Sequence, residues 1–258
     1  MAFIQCNFHS DVLGRACSMN VLIPQRATTQ IGLDNNASSR KDYPVVYLLH
    51  GLSDDHTIWM RRTSIERYAA AHQAVIVMPN GDRSFYTDMQ CGYRYWTFLS
   101  EELPALVADM FPVSTRREDT FAAGLSMGGY GALKLALRRP DRYAAAVALS
   151  PVADIQQWYT DFLEQYPEIK WIFGSREELD ANGNNLLLLA SQAATCPTPP
   201  RLMQVCGTED FLYQSNQTLR NCLQSLPFPE YKYAEEPGVH CWEFWDKWIP
   251  AGLDFLLN

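Results

Sequence analysis

Long apolar runs, a surplus of basic residues and paired cysteines are all missing from this chain, and each absence removes a class of function. No stretch of the 258 residues approaches the ~18 consecutive apolar residues that read as a membrane-spanning helix. The opening, MAFIQCNFHSDVLGR, has neither the basic start nor the continuous apolar stretch of a secretory signal. Lys and Arg number 21 against 29 Asp and Glu, so the formal charge is −8, and phosphate-rich nucleic acid would meet a repelling surface. The pairs Arg61-Arg62 and Arg116-Arg117 are too short to be basic tracts and read as solvated surface. Seven cysteines form no C-x-x-C pair, and an odd number cannot close completely into disulfides. The expectation is a reducing, cytoplasmic setting without nucleic acid or membrane as partner.

What is present is a compact globular composition, 47% hydrophobic and 19% charged. The length suits one large core, and with no internal repeat or linker residues 1–258 are expected to form a single domain. Short runs rich in valine, alanine and tyrosine recur: VVYLLHG (45–51), AVIVMP (74–79), DTFAAG (119–124), AAAVALS (144–150), RLMQVCG (201–207) and YKYAEE (231–236). All but the last are nearly continuous apolar runs, the signature of strands buried on both faces. Between them, 63–73, 96–112 and 215–226 are long enough to be crossover helices. This rhythm predicts an α/β fold with a mostly parallel central sheet flanked by helices on both sides. Upstream, FIQCNFHS and RACSMNVLIP add two antiparallel edge strands, and the polar residues 26–43 read as a surface loop.

Four glycines and a serine crowd into Gly124 to Gly131, at a strand-to-helix junction. GLSMG (124–128) fits G-x-S-x-G, in which the serine sits on a sharp turn and glycines two residues away keep β-carbons out of neighbouring backbone. Tyr130, Leu133, Ala136 and Leu137 then follow at helical spacing, so Ser126 stands at a helix N-terminus, where free N–H groups favour negative charge. A glycine-rich turn can also serve packing alone or cradle a phosphate. The P-loop lysine and the G-x-G-x-x-G spacing are both absent here.

A nucleophile in this setting needs a base and an acid downstream, in the order Ser, Asp/Glu, His. His240 is the only one of the five histidines beyond Ser126, in the loop EEPGVHCW between the last strand and an aromatic C-terminal helix. A lone histidine there can also be a buried structural group, but its position and its order after the serine favour a catalytic base. The acid should follow the preceding strand, where CGTED supplies Glu209 and Asp210, while Glu235 and Glu236 read as surface carboxylates. LLHGLSDDHTIW (48–59) places His-Gly ahead of Leu52, whose backbone N–H can join that of Met127 as the two donors of an oxyanion hole. His50 is expected to brace this loop by hydrogen bonding. Trp59 and Trp96 either line the substrate site or fill core.

Taken together, HGLSDDHTIW, SFYTDMQCGYRYWTFLSEELP, GLSMGGYGALKLAL, CGTEDFLY and PGVHCWEFW resemble the esterase D-like family of α/β-hydrolases, and most of all its bacterial tributyrin (short-chain) esterases. The resemblance runs from about residue 5 to 255; the polar stretch at 26–43 departs from it, far from the motifs. It implies Ser126, Asp210 and His240 as a catalytic triad, the acid being third after the glycine of CGTED, with Leu52 and Met127 as oxyanion donors. Its relatives include S-formylglutathione hydrolases and feruloyl and acetylxylan esterases. It implies a small-molecule ester as substrate and neither metal nor cofactor; a homo-oligomer stays open. After the sixth strand the chain runs about 50 residues to the next, longer than a usual connection, with Trp158, Tyr159, Phe162, Tyr166, Trp171 and Phe173 clustered in it. Residues 151–180 therefore read as a small cap over the acyl pocket, or else as a helix pair burying its aromatics against the sheet.

Overall fold

The apolar runs become the strands of one eight-stranded sheet in the computed structural model, which describes residues 1–25, 27, 29 and 42–258. Most of the polar stretch 26–43 lies outside the described residues. The strands are β1 (Ala2–Ser10), β2 (Arg15–Ile23), β3 (Val45–Leu49), β4 (Val75–Pro79), β5 (Thr120–Leu125), β6 (Ala145–Leu149), β7 (Arg201–Gly207) and β8 (Tyr231–Glu236). Their order across the sheet is β1-β2-β4-β3-β5-β6-β7-β8. β1 and β2 form an antiparallel hairpin docked antiparallel on β4, and every pairing from β4 to β8 is parallel.

The helices are α1 (Ile58–Arg62), α2 (Ile65–Ala70), α3 (Tyr95–Thr97), α4 (Leu103–Met110), α5 (Met127–Arg138), α6 (Ile155–Phe162), α7 (Ile169–Phe173), α8 (Arg176–Ala181), α9 (Leu186–Ala193), α10 (Tyr213–Gln224) and α11 (Trp242–Leu257). A π-helical turn, Phe98–Glu102, joins α3 to α4. Among the described residues no helix is long and apolar enough to cross a membrane.

Because side chains alternate along a strand, β3 feeds two cores at once. Val45, Tyr47 and Leu49 belong to the core that also takes residues of α3, α4, α5, α9 and α10, whereas Val46 and Leu48 belong to the one that takes residues of α1, α2 and α11. Burying one such side chain completely gains roughly 1.5–3 kcal/mol, so continuous apolar runs are what a sheet covered on both faces selects. β1 stands at an edge and alternates between half-buried and exposed residues instead.

Parallel register brings the carboxyl ends of the strands into line. Gly124 pairs with Leu49 on one side and Ala148 on the other, and Gly207 pairs with Glu236. The loops that follow β3, β5, β6, β7 and β8 therefore leave the sheet along one edge, where open α/β sheets bind their ligands.

Candidate active site

Ser126 is the residue that turns β5 into α5, with φ 53° and ψ −119°. A non-glycine residue in this region is strained, and the neighbours over-determine it. Its N–H donates to Leu149 O at 2.9 Å, and its carbonyl accepts from Tyr130 N at 3.0 Å and Val152 N at 3.2 Å. The flanking glycines are there for space. A β-carbon on Gly128 would lie 2.3 Å from Leu49 O, and one on Gly124 would lie 2.3 Å from Gly128 O.

The Ser126 hydroxyl is held 3.0 Å from His240 Nε2, and His240 Nδ1 lies 2.8 Å from Asp210 Oδ2. A proton on Nδ1 donated to the carboxylate leaves Nε2 free to accept from the serine. The Asp210 side chain is wholly buried, while 17% of the His240 side chain is exposed. The second carboxylate oxygen, Oδ1, accepts the N–H of Leu212 at 2.8 Å. The two loops that bring acid and base together are tied to each other: Thr208 N–H donates to Glu236 O at 2.9 Å and Glu209 N–H to Gly238 O at 3.0 Å. The imidazole is gripped by aromatic rings, Trp245 edge-on at 4.8 Å and Phe211 at 4.7 Å between centroids.

The loop after β3 is braced from inside. His50 is buried; its Nε2 accepts the Gly81 N–H at 2.8 Å, so Nδ1 carries the hydrogen and donates to Gly51 O at 2.7 Å. Burial holds its pKa below the ordinary histidine value, which keeps this tautomer neutral. The Tyr86 hydroxyl donates to His50 O at 2.8 Å. Tyr86 is itself fixed by Lys134 of α5, whose buried Nζ lies within hydrogen-bond distance of Tyr86 O at 3.1 Å, Thr87 Oγ1 at 2.8 Å and Asn184 Oδ1 at 2.6 Å. Nucleophile helix and Leu52 loop are thus linked through one hydrogen-bonded chain.

A cavity of about 550 Å³ opens over Ser126 and His240. Leu52 and Met127 line it, and the Met127 N–H, in the first turn of α5, has no partner within its own helix. One wall is aromatic: Trp158 stacks on Phe162 at 5.5 Å and on Tyr166 at 6.0 Å, and packs against Phe85 at 4.6 Å. Residues 151–180 supply this wall through α6 and the turn after it. Asp54 and Arg83 also line the cavity, and burial, with Asp55 adding to it, raises the Asp54 carboxyl above its ordinary range.

Trp59 and Trp96 are not among the residues lining this cavity. Trp59 is buried on the opposite face of the sheet, its Nε1 donating to Leu49 O at 3.1 Å, and Trp242 stands edge-on to it and lines the cavity instead. Trp96 lies under Arg138, 4.1 Å from the guanidinium carbon, at a separate depression beside α9. Both helices needed an aromatic for packing, and a sequence does not tell which tryptophan faces which way. The residues that sequence reasoning missed are Phe85, Phe211, Trp242 and Trp245. Phe211 and Trp242 adjoin Asp210 and Cys241, so adjacency to the triad loops was the available signal. Phe85 had none, since it reaches the site through left-handed backbone at Phe85 and Tyr86, φ 50° at each, with no glycine to announce it.

Residues 19–256 match the model of the family described as "Putative esterase". A curated relative, the acetyl esterase of Caldicellulosiruptor saccharolyticus, is 28% identical over 99% of this chain and 98% of its own. Two solved structures from Staphylococcus aureus cover the whole chain. The fluorophosphonate-binding serine hydrolase F, substrate bound, is 35% identical over 98% of its own length with a TM-score of 0.87. An S-formylglutathione hydrolase, as apoenzyme, is 34% identical over 99% of its length with a TM-score of 0.84. Sheet order, strand-to-helix serine turn and these likenesses agree: the chain is an α/β-hydrolase and belongs to the esterase family.

Proposed function

We propose that the protein is a serine carboxylesterase that hydrolyses short-chain acyl esters through an acyl-enzyme on Ser126. The observation that carries this reading is the unbroken hydrogen-bond chain Asp210–His240–Ser126 facing a cavity with an aromatic wall. In the first half-reaction Ser126 Oγ attacks the ester carbonyl carbon and its proton passes to His240 Nε2. The carbonyl oxygen becomes an oxyanion, held by the N–H groups of Leu52 and Met127 and by the positive end of α5. Collapse of the tetrahedral species breaks the bond to the alcohol oxygen, which takes the proton from His240. Water then repeats the sequence, giving its proton to His240, and release of the acid restores Ser126. Asp210 keeps the imidazole in the tautomer that can accept and stabilises the imidazolium.

Residues 151–180 are read as a cap that limits the acyl chain, because Trp158, Phe162 and Tyr166 fill the space where a longer chain would run. The seven free cysteines suit a reducing, cytoplasmic setting. A thioesterase acting on S-formylglutathione is the second reading, favoured by the likeness to the S. aureus hydrolase of that name. Steady-state rates on tributyrin, on 4-nitrophenyl acetate, butyrate and octanoate, on methyl ferulate and on S-formylglutathione test both. Acetate and butyrate leading the series supports the esterase; S-formylglutathione leading it overturns that reading in favour of the thioesterase.

A further inference from the structure

In the proposed reaction His240 takes a proton from Ser126 and returns it to the departing group, so its Nε2 has to stay aimed at one oxygen through both transfers. Asp210 holds the other ring nitrogen and leaves the ring free to tilt about that bond. Two aromatic neighbours limit the tilt. Phe211 is open to water at 63% exposure, whereas Trp245 is buried and stands perpendicular to the imidazole, at 87° and 4.8 Å between centroids. Trp245 is the firm wall.

That wall is anchored by a side chain from another strand end. Trp245 Nε1–H donates to Ser150 Oγ at 3.2 Å, and Ser150 is wholly buried. An indole N–H in the interior needs such an acceptor. Ser150 is the residue directly after β6, and its φ of 44° puts a non-glycine residue in left-handed backbone. Pro151 follows it, and a residue ahead of proline otherwise takes extended backbone with negative φ. Strain of this kind persists where the surroundings hold it, and here Ser150 N–H donates to Val205 O at 2.7 Å. Glycine would relieve the strain, yet the position carries the hydroxyl that Trp245 uses.

The same short segment holds the nucleophile. On either side of Ser150, Leu149 O accepts the Ser126 N–H at 2.9 Å and Val152 N–H donates to Ser126 O at 3.2 Å. Residues 149–152 thus fix the serine through their backbone and the wall of the histidine through one side chain. We propose that Ser150 is a positioning residue for the catalytic base: its hydroxyl anchors Trp245, and Trp245 keeps the His240 ring aimed at Ser126. The proposal rests on the serine-esterase reading above. Trp245 lines the catalytic cavity and Ser150 does not, so Ser150 acts only through Trp245.

The test is a double-mutant cycle on Ser150→Gly and Trp245→Phe, with 4-nitrophenyl acetate as substrate and a fluorophosphonate as the probe of Ser126. Glycine accepts positive φ and phenylalanine keeps an aromatic ring, so both variants should fold, which circular dichroism checks. Each single variant is expected to lower kcat, kcat/KM and the labelling rate about tenfold with KM within about twofold, as for a base held slightly off line. The double variant also loses about tenfold, because both changes break one contact. A folded single variant with wild-type kcat, a rise in KM in place of a fall in kcat, or a loss of about a hundredfold in the double variant overturns the proposal and leaves the esterase reading standing. Failure of Ser150→Gly to fold would make the hydroxyl a requirement of the fold and overturns it too. A wild-type protein that neither hydrolyses 4-nitrophenyl acetate nor takes the label overturns the esterase reading itself, and the role of Ser150 with it.

Discussion

Glu209 and Asp210 are neighbours in sequence with opposite surroundings. Asp210 is buried with both carboxylate oxygens engaged, one by the His240 ring and one by the Leu212 N–H, while Glu209 is exposed to solvent. Exchanging each for its amide separates the two. Asp210→Asn is expected to lower kcat by about 10⁴, the cost of a misplaced tautomer in a serine triad, with the fold retained by circular dichroism. Glu209→Gln removes a solvated charge and is expected to change kcat by less than about threefold. The reverse ranking would move the acid of the triad to Glu209. Order along the chain made Ser126 and His240 legible, because one histidine follows the serine turn and no other. The choice between two adjacent acids was not legible from spacing, since either reaches the strand end, and it needed the family pattern.

At the scale of the element, α5 is buried almost throughout, Met127 to Leu137, including Lys134. Helical spacing of Tyr130, Leu133, Ala136 and Leu137 gave the inner face, but a lysine one residue from Leu133 reads as surface on any pattern. It is buried among three oxygen acceptors, from Tyr86, Thr87 and Asn184 just ahead of α9, and the faces of Trp96 at 5.2 Å and Tyr130 at 5.4 Å. Arg138 lies on the same helix and opposes the Lys134 charge, while the Asp88 carboxylate favours it. Burial, with Arg138 adding to it, drives the Lys134 pKa far below the ordinary lysine value. The folded state then binds this proton less readily than the unfolded chain, whose lysine titrates near ~10.4. The stabilising contribution of Lys134 is therefore complete above ~10.4 and is lost as the pH falls through the depressed folded value. Urea unfolding of wild type and Lys134→Met across alkaline pH checks this: the stability difference should shift towards wild type as the pH rises, whereas a difference flat with pH would mean an unperturbed lysine. At neutral pH the variant strands acceptors at Tyr86, Thr87 and Asn184, and a loss of about 2 kcal/mol is expected from the unmade hydrogen bonds.

The whole molecule works by assembling one site from the carboxyl ends of five strands. The continuous apolar runs of four of them, β3, β5, β6 and β7, gave the sheet and its parallel sense, and their boundaries agree within a residue or two because burial on both faces leaves little freedom in the pattern. The shape of the cavity was less legible, since it depends on how 151–180 folds back over the sheet edge, a matter of packing among aromatics at unremarkable spacings. With Trp158 packed on Phe85 in the aromatic wall of the cavity, a short acyl pocket predicts that butyryl esters are hydrolysed faster than palmitoyl esters. Trp158→Ala should move that preference towards longer chains, by about tenfold in the octanoate-to-acetate ratio of kcat/KM, since added methylenes gain burial only where there is room. A palmitate preference in wild type would contradict a closed acyl end. The proposed reaction turns on one atom, Ser126 Oγ, and the most direct test is covalent. Intact-protein mass spectrometry with peptide mapping, after reaction with a fluorophosphonate, should find a single adduct on Ser126 in wild type, with neither adduct nor ester hydrolysis in Ser126→Ala. Labelling or turnover that persists in Ser126→Ala would contradict an acyl-enzyme at this residue.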